Sequence, residues 1–408
     1  MTLSPPGFAS NPQDNPERQD ILLCLSHLRW DFVYQRPQHL LSRAARQFDV
    51  IFFEEPWLEE GEPRLELRQD PSGVTIARPH MPESLNEMER MGLQRGFLDR
   101  LLAERGGGRL IQWFYTPMAL PFAGHLKPDL CIYDCMDELS LFKGAPPALR
   151  ENEAELFRRA DLVFTGGRSL YESKRRQHPD VHCFPSSVDV PHFAKARGTV
   201  DEPADQKDIP HPRLGFFGVV DERMDIDLLR GLAEARPDYH LCIIGPVVKI
   251  DEAHLPRLPN IHYLGGKSYA ELPAYVAGWD IALLPFARND STKFISPTKT
   301  PEYLAGGRPV ISTPITDVVR PYGELRLVAI EEDAAGFAAA ADRILAEGDR
   351  SRWLGHVDEY LATMSWDRTW DGMHSLMQAA LESKALDALD AAATQSVLAD
   401  DAMEETHV

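Results

Sequence analysis

Short, uninterrupted apolar runs alternate along this chain with longer stretches whose apolar residues recur every three or four positions. Residues 21–26 (ILLCLS) and 49–54 (DVIFFE) are the first two runs. Each is too short for a helix of ordinary length and reads as a strand buried on both faces. Between them Pro37 stands where a first helical turn tolerates proline, and residues 38–48 (QHLLSRAARQF) continue at helical spacing. Residues 65–77 predict a hairpin around Asp70-Pro71-Ser72-Gly73, and 85–104 a long helix stopped by Gly106-Gly107-Gly108. Strands then follow at 109–115, 129–134, 161–166 and 182–188, with helices near 148–160 and 169–177. Strands that alternate with helices imply a parallel, doubly wound sheet, because parallel neighbours need a crossover between them.

Residues 194–212 break this rhythm with charged and proline-containing sequence, and are read as a linker. The alternation then restarts, with strands 213–218, 239–245, 260–265, 280–286, 308–313 and 325–330. Helices are expected at 225–235, 268–278, 299–306 and 333–347. The pattern therefore gives an α/β chain with a first domain over 20–193 and a second over 213–364. Two such domains place the carboxyl ends of their sheets across a shared cleft. Residues 1–19, punctuated by Pro5, Pro6, Pro12 and Pro16, are expected to be disordered. So is the acidic tail 385–408, which has no Lys or Arg.

The length of 408 residues fits two domains rather than one core. The net charge of −20 argues against a nucleic-acid partner, since phosphate backbones reward basic surfaces. The 5 cysteines include no CxxC and lie mostly in apolar runs, which reads as a reduced, cytoplasmic protein. No secretory leader and no membrane-spanning stretch is legible, so any membrane contact is expected to be peripheral, at the inner membrane face.

Residues 296–310 (SPTKTPEYLAGGRPV) follow a strand and a polar loop and open a helix that stops at Gly306-Gly307. The helix start offers free N–H groups to an anion, and Ser296, Pro297, Thr298 and Lys299 are candidate diphosphate ligands there. Glu302 is placed to accept hydrogen bonds from two ribose hydroxyls. A capped helix with solvated charges is the plainer alternative.

The segment EYLAGGRPVIST resembles the donor-binding helix of retaining GT-B glycosyltransferases, in which two glutamates stand eight positions apart before G-x-P-V. Glu302 matches the second glutamate, which in that family holds the donor ribose; Phe294 occupies the place of the first. That departure leaves open which group meets the hydroxyls of the donor sugar. Together with SHLRWDFVYQRPQHLL and YDCMDELS, the segment resembles a bacterial branch of cell-surface polysaccharide transferases related to teichuronic-acid biosynthesis enzymes. The resemblance covers roughly residues 20–380. It implies the GT-B fold, two Rossmann-like domains facing a central cleft, and a helix over 365–384 crossing back to the first.

Within that frame Gly218, Arg223 and Gly245 are expected at the donor's diphosphate and nucleobase. Trp30, Tyr34, Arg36 and Gln38 form a loop expected to meet the acceptor or a phosphate, although Trp30 and Tyr34 also suit simple packing on the helix. Asp134 and Asp137 are the candidate catalytic carboxylates, Glu138 the third choice; helix capping by Asp137 is the alternative. Arg168, Lys174, Arg175 and Arg176 form a basic patch readable as a lipid-headgroup contact or, more simply, as a solvated helix face.

A metal-independent reaction without a cofactor is expected, with a UDP- or GDP-linked sugar as co-substrate and a glycan or lipid-linked acceptor. A nucleotide-sugar epimerase and a catalytically silent scaffold on the same fold are the rival readings.

Overall fold

The computed structural model describes residues 19–405; the expectation for the segment before residue 19 lies outside them. The first sheet holds β1 (Ile21–Leu25), β2 (Asp49–Phe53), β3 (Trp57–Leu58), β4 (Arg64–Gln69), β5 (Thr75–Met81), β6 (Leu110–Phe114), β7 (Leu130–Cys135), β8 (Leu162–Thr165) and β9 (Val181–Cys183). Their order is β3-β5-β2-β1-β6-β7-β8-β9, with β4 antiparallel on β5 as the hairpin signal predicts. The other pairings are parallel. The second sheet holds β10 (Arg213–Phe217), β11 (His240–Ile244), β12 (Ile261–Gly265), β13 (Ile281–Leu284), β14 (Val310–Ser312) and β15 (Val328–Ile330), all parallel, in the order β12-β11-β10-β13-β14-β15.

Each sheet reverses its winding direction once, between β1 and β6 in the first and between β10 and β13 in the second. At such a reversal the loops leaving adjacent strands diverge to opposite faces, opening a crevice at the carboxyl edge. The sequence therefore assigns its ligand crevices by topology alone: the loops after β1, β6, β10 and β13.

Strands β1, β8 and β13 are buried at every position, which explains their unbroken apolar character. The helix Arg36–Ala44 starts with a reciprocal Gln35–Gln38 capping arrangement and Pro37 in its first turn. The helix Trp366–Glu405 lays Trp366, Trp370, Met373 and Met377 against Leu22, Cys24, Leu40 and Leu41 of the first domain. It continues through residues 385–405, where the sequence reading expects a disordered tail. Alanine and leucine dominate 385–393 (ALDALDAAA), and their intrinsic propensity carries the helix on once packing has nucleated it.

The polar segment 194–212 is fastened to the second domain rather than hanging free. Gln206 is buried, donates to the Tyr275 carbonyl at 3.0 Å and accepts from Trp279 Nε1 at 2.9 Å. All five cysteines are free thiols.

Candidate active site

The turn after β10 is built on two glycines that no other residue can replace without rearrangement. Gly218 has φ +140° and Gly245, after β11, φ +141°. A Cβ on Gly245 would collide with the Gly218 carbonyl oxygen, and one on Gly218 would collide with Lys299 Cε. The space a side chain would fill is thus taken by the stem of Lys299, the first residue of the helix Lys299–Ala305. Tyr303 fixes that helix: its hydroxyl accepts the Phe217 N–H at 2.9 Å and is fully buried.

Lys299 and Glu302 lie one turn apart, and Glu302 is buried. Burial raises the Glu302 pKa well above a normal carboxyl, with Lys299 opposing. Burial also lowers the Lys299 pKa, helped by the charge of Arg223. Arg223 lies in the same turn, its guanidinium held by both oxygens of Asp221 at 3.0 and 3.1 Å from Nε. Two cations are thereby concentrated around the β10 turn of an otherwise acidic chain.

Across the cleft, Asp137 follows β7 of the first domain. Desolvation pushes its pKa up to about 6, while Arg223, Lys299 and Arg36 pull it down. The adjoining loop reaches the second domain directly. Ser291 Oγ donates to the Leu141 carbonyl at 3.2 Å, and Phe142 lies between Arg223 and Lys249, each 5.6 Å from its ring centre. Phe294 packs against the first domain's apolar cluster, so the position where the resemblance has a glutamate serves as an interdomain anchor. Asp317 Oδ1 accepts the Ser169 N–H at 2.9 Å, and Ser296 sits against Gly167, 2.7 Å from where a Cβ would stand. At the Glu302 end, Tyr34 meets Tyr269 with ring centres 4.7 Å apart.

The structure thus gathers Gly218, Arg223, Gly245, Lys299, Glu302 and Asp137, with Ser296, Pro297 and Thr298 in the loop that leads into the helix. It corrects several other expectations. Asp134 is fully buried and both its oxygens are taken by Arg36, at 2.9 and 3.0 Å, so it faces no acceptor. Arg36 also donates to the Phe184 carbonyl at 2.7 Å and is fully buried, so its guanidinium is engaged within the protein. Trp30 is buried, donates from Nε1 to Asp70 at 3.0 Å and packs edge-on against Phe52; no sugar can stack on it. Gln38 closes the loop by donating to the Trp30 and Val33 carbonyls at 2.7 and 3.1 Å. Tyr34 belongs to the Glu302 end rather than to the acceptor loop.

Glu138 and Glu153 both bind Lys174, at 2.8 and 2.9 Å, and bury it, which removes the centre of the supposed basic patch. Because the Arg36–Asp134 pair is desolvated, Asp134→Ala is expected to cost about 3–5 kcal/mol by leaving a buried, unpaired guanidinium. Chemical denaturation measures this, and Arg36→Lys, which keeps the charge but loses the two-pronged contact, should cost a smaller share of it.

Three contributors escaped the sequence reading: Phe142, Lys249 and Tyr269. None has a local signature except Lys249, whose φ of +62° marks a sharp turn but is invisible before folding. Among the described residues no three His, Cys, Asp or Glu side chains gather as a metal site requires.

Residues 211–347 match the family model for group 1 glycosyl transferases, a span that takes in the β10 turn and the Lys299 helix. A protein of Bacillus subtilis (strain 168) named as a teichuronic acid biosynthesis glycosyltransferase, TuaH, is 25% identical over 296 residues, covering 66% of this chain and 72% of that one. Among solved structures, sucrose-phosphate synthase from Thermosynechococcus elongatus superposes with a TM-score of 0.69 at 16% identity, over 90% of this chain and 100% of that one. HepE from Anabaena, solved with UDP and glucose, gives 0.64 at 12% identity, over 88% and 99%. These structural likenesses establish the shared two-domain fold.

Proposed function

We infer that this chain, a glycosyltransferase of the GT-B type, moves a sugar from a nucleotide-diphosphate donor to a glycan or lipid-linked acceptor in cell-surface polysaccharide biosynthesis. The observation that carries the site assignment is the electrostatic coupling of Asp137, from the first domain, to Arg223 and Lys299 at the second domain's switch point, beside the packing of Arg223 on Phe142 of the first domain. The donor's diphosphate lies against Gly218, whose missing side chain leaves the backbone and Lys299 accessible together. Glu302 takes the ribose hydroxyls and Gly245 flanks the base.

As the bond between the anomeric carbon and the phosphate oxygen breaks, negative charge grows on the departing nucleotide. Lys299 and Arg223 are fixed in place before that happens, so they stabilise the charge without reorganisation and without a metal. Asp137 anchors the acceptor through its hydroxyls. The attacking hydroxyl's proton passes to the departing phosphate oxygen on the same face of the sugar, and configuration is retained. The cross-domain contacts of Phe294, Ser291 and Asp317 hold the cleft shut against water, which would otherwise hydrolyse the donor.

The UDP of the HepE structure makes UDP-sugars the first donors to try, with GDP-sugars next. Among the described residues no helix is long and apolar enough to cross a membrane, so a lipid-linked acceptor would be met by peripheral contact.

Calorimetry with UDP-, GDP-, ADP- and dTDP-sugars in EDTA tests the donor site. One nucleotide class is expected to bind, raising stability by about 2.7 kcal/mol at 100 times its Kd. Glu302→Gln should weaken that binding about tenfold. Absence of binding by all four classes, or binding only when a divalent metal is restored, would sink the reading. The anomeric configuration of the product, read by NMR, decides retention.

A further inference from the structure

A cavity of about 730 Å³ opens beside the donor turn, with the loop Ser296–Pro297 as the wall between the two. Its lining comes from three parts of the chain: both domains and the segment that joins them. Arg168 and Ser187 belong to the first domain, Arg320 and Tyr322 to the second, and Ser365 and Arg368 to the segment that crosses back. This volume lies within the range of small-molecule sites.

The three guanidinium groups are weakly engaged. Arg168 is 3.8 Å from Glu172 and Arg320 is 3.6 Å from Glu324, both pairs one helical turn apart and largely exposed. Such pairs hold little energy and release readily. Arg368 donates to the Ala362 carbonyl at 3.0 Å and has no carboxylate within 4.0 Å among the described residues. The third acid of the lining, Asp317, is turned into the first turn of the helix Arg168–Lys174, where it accepts from Ser169. Ser187 is 3% exposed, lines the cavity, and its hydroxyl has no partner among the described residues. A buried hydroxyl without a partner is costly unless something else supplies the hydrogen bond.

We propose that this cavity binds a saccharide bearing a carboxylate or a phosphate, the arginines meeting the anion and the serine and threonine hydroxyls meeting the sugar. Three arginines from three elements suit a planar or tetrahedral oxyanion, which a guanidinium fork contacts through two parallel hydrogen bonds. Ser186, Ser187, Tyr360, Thr363 and Thr369 line the remaining wall; the Thr363 and Thr369 hydroxyls donate to the Tyr360 and Ser365 carbonyls at 2.7 and 3.1 Å and keep their lone pairs for a ligand. Because the ligand touches both domains and the crossing segment, its binding favours the closed cleft. It is therefore a second ligand of the enzyme, held next to the donor and separate from it.

The test is calorimetry on the full chain, with the donor turn first saturated by the nucleoside diphosphate that binds it. The probes are glucuronate, glucose 6-phosphate, inorganic phosphate and glucose. One or both charged sugars are expected to bind at least tenfold more tightly than glucose, and which of them does so separates carboxylate from phosphate. Arg320→Ala with Arg368→Ala should raise that Kd at least tenfold and leave nucleotide binding unchanged. If the double variant is unstable, Arg368→Gln alone, at an exposed side chain, should still raise it severalfold. Equal binding of glucose, inorganic phosphate binding as tightly as glucose 6-phosphate, or no effect of the arginine variants would each overturn the proposal. Should no nucleotide bind, the Lys299→Ala chain replaces the saturated one. The cavity is then judged on its own while the donor assignment falls.

Discussion

Replacing Lys299 with alanine is expected to lower kcat/KM by about a hundred- to a thousandfold, the loss seen when one fixed donor to a developing oxyanion is removed. The size follows from where the ammonium sits. It is half-buried, its stem occupies the volume vacated by Gly218, and desolvation together with Arg223 already disfavours its charge. A group held charged against that cost gains most from an anion that grows during the reaction. Donor affinity should fall less than turnover, because the diphosphate carries less charge at the broken bond before the transition state than in it. Lys299→Arg should not rescue the reaction: the bulkier guanidinium cannot follow the same path over the glycine. Gly218→Ala should mimic the loss, since its Cβ collides with Lys299 Cε and its φ of +140° is strained for any L side chain. Near-wild-type kcat in folded Lys299→Ala would move the leaving-group role to another cation.

Much of this arrangement was legible before folding, and the reason is topological. Apolar runs such as ILLCLS and DIALLPF mark buried parallel strands, and strand order then dictates where crevices open. Lys299 and Glu302 were found because a helix start after a strand is a local feature. The first domain was harder. Arg36 and Asp134 are each anomalous near a strand's carboxyl end, which is why one invited a phosphate-binding reading and the other a catalytic one. Their anomaly is resolved by each other, across 98 positions that no local pattern relates. The same holds for Trp30 and Asp70, and for Lys174 with its two glutamates. A polar residue at a cleft-side position signals either a ligand or a distant partner, and the sequence does not say which.

Phe294 shows the reverse case. Read against the family pattern, it is a missing glutamate; in the fold it is a half-buried apolar anchor packed against the first domain's core. The loop that carries it also carries Ser291, bound to Leu141, and leads to Ser296 against Gly167. The change therefore converts a position that would touch the donor sugar into one that fastens the two domains together. Contact with the sugar's hydroxyls must come from elsewhere in the cleft.

Asp137→Asn is expected to make the protein more stable and nearly inactive at once. Burial raises this carboxyl from 3.8 to about 6 in the folded chain. The ionised form is therefore less favourable in the fold than in the unfolded chain, and native stability declines as pH rises from about 4 through about 6. Asparagine carries no such penalty. At pH 7.5 the variant should gain about 1–3 kcal/mol in chemical denaturation, given roughly 1.4 kcal/mol per pKa unit and partial solvent access; at pH 4 the two proteins should match. Activity moves the other way. The wild type should lose kcat/KM below pH 6 as the carboxyl takes up a proton, and the variant should sit about a hundredfold lower with that limb absent. A site that is destabilising for the fold and needed for turnover is what a functional carboxylate predicts, whereas at a helix cap asparagine serves about as well as aspartate and stability would hardly change. If Asp137→Asn leaves the melting temperature unchanged and keeps the acid limb, Asp137 is a structural cap and the acceptor is held by another group.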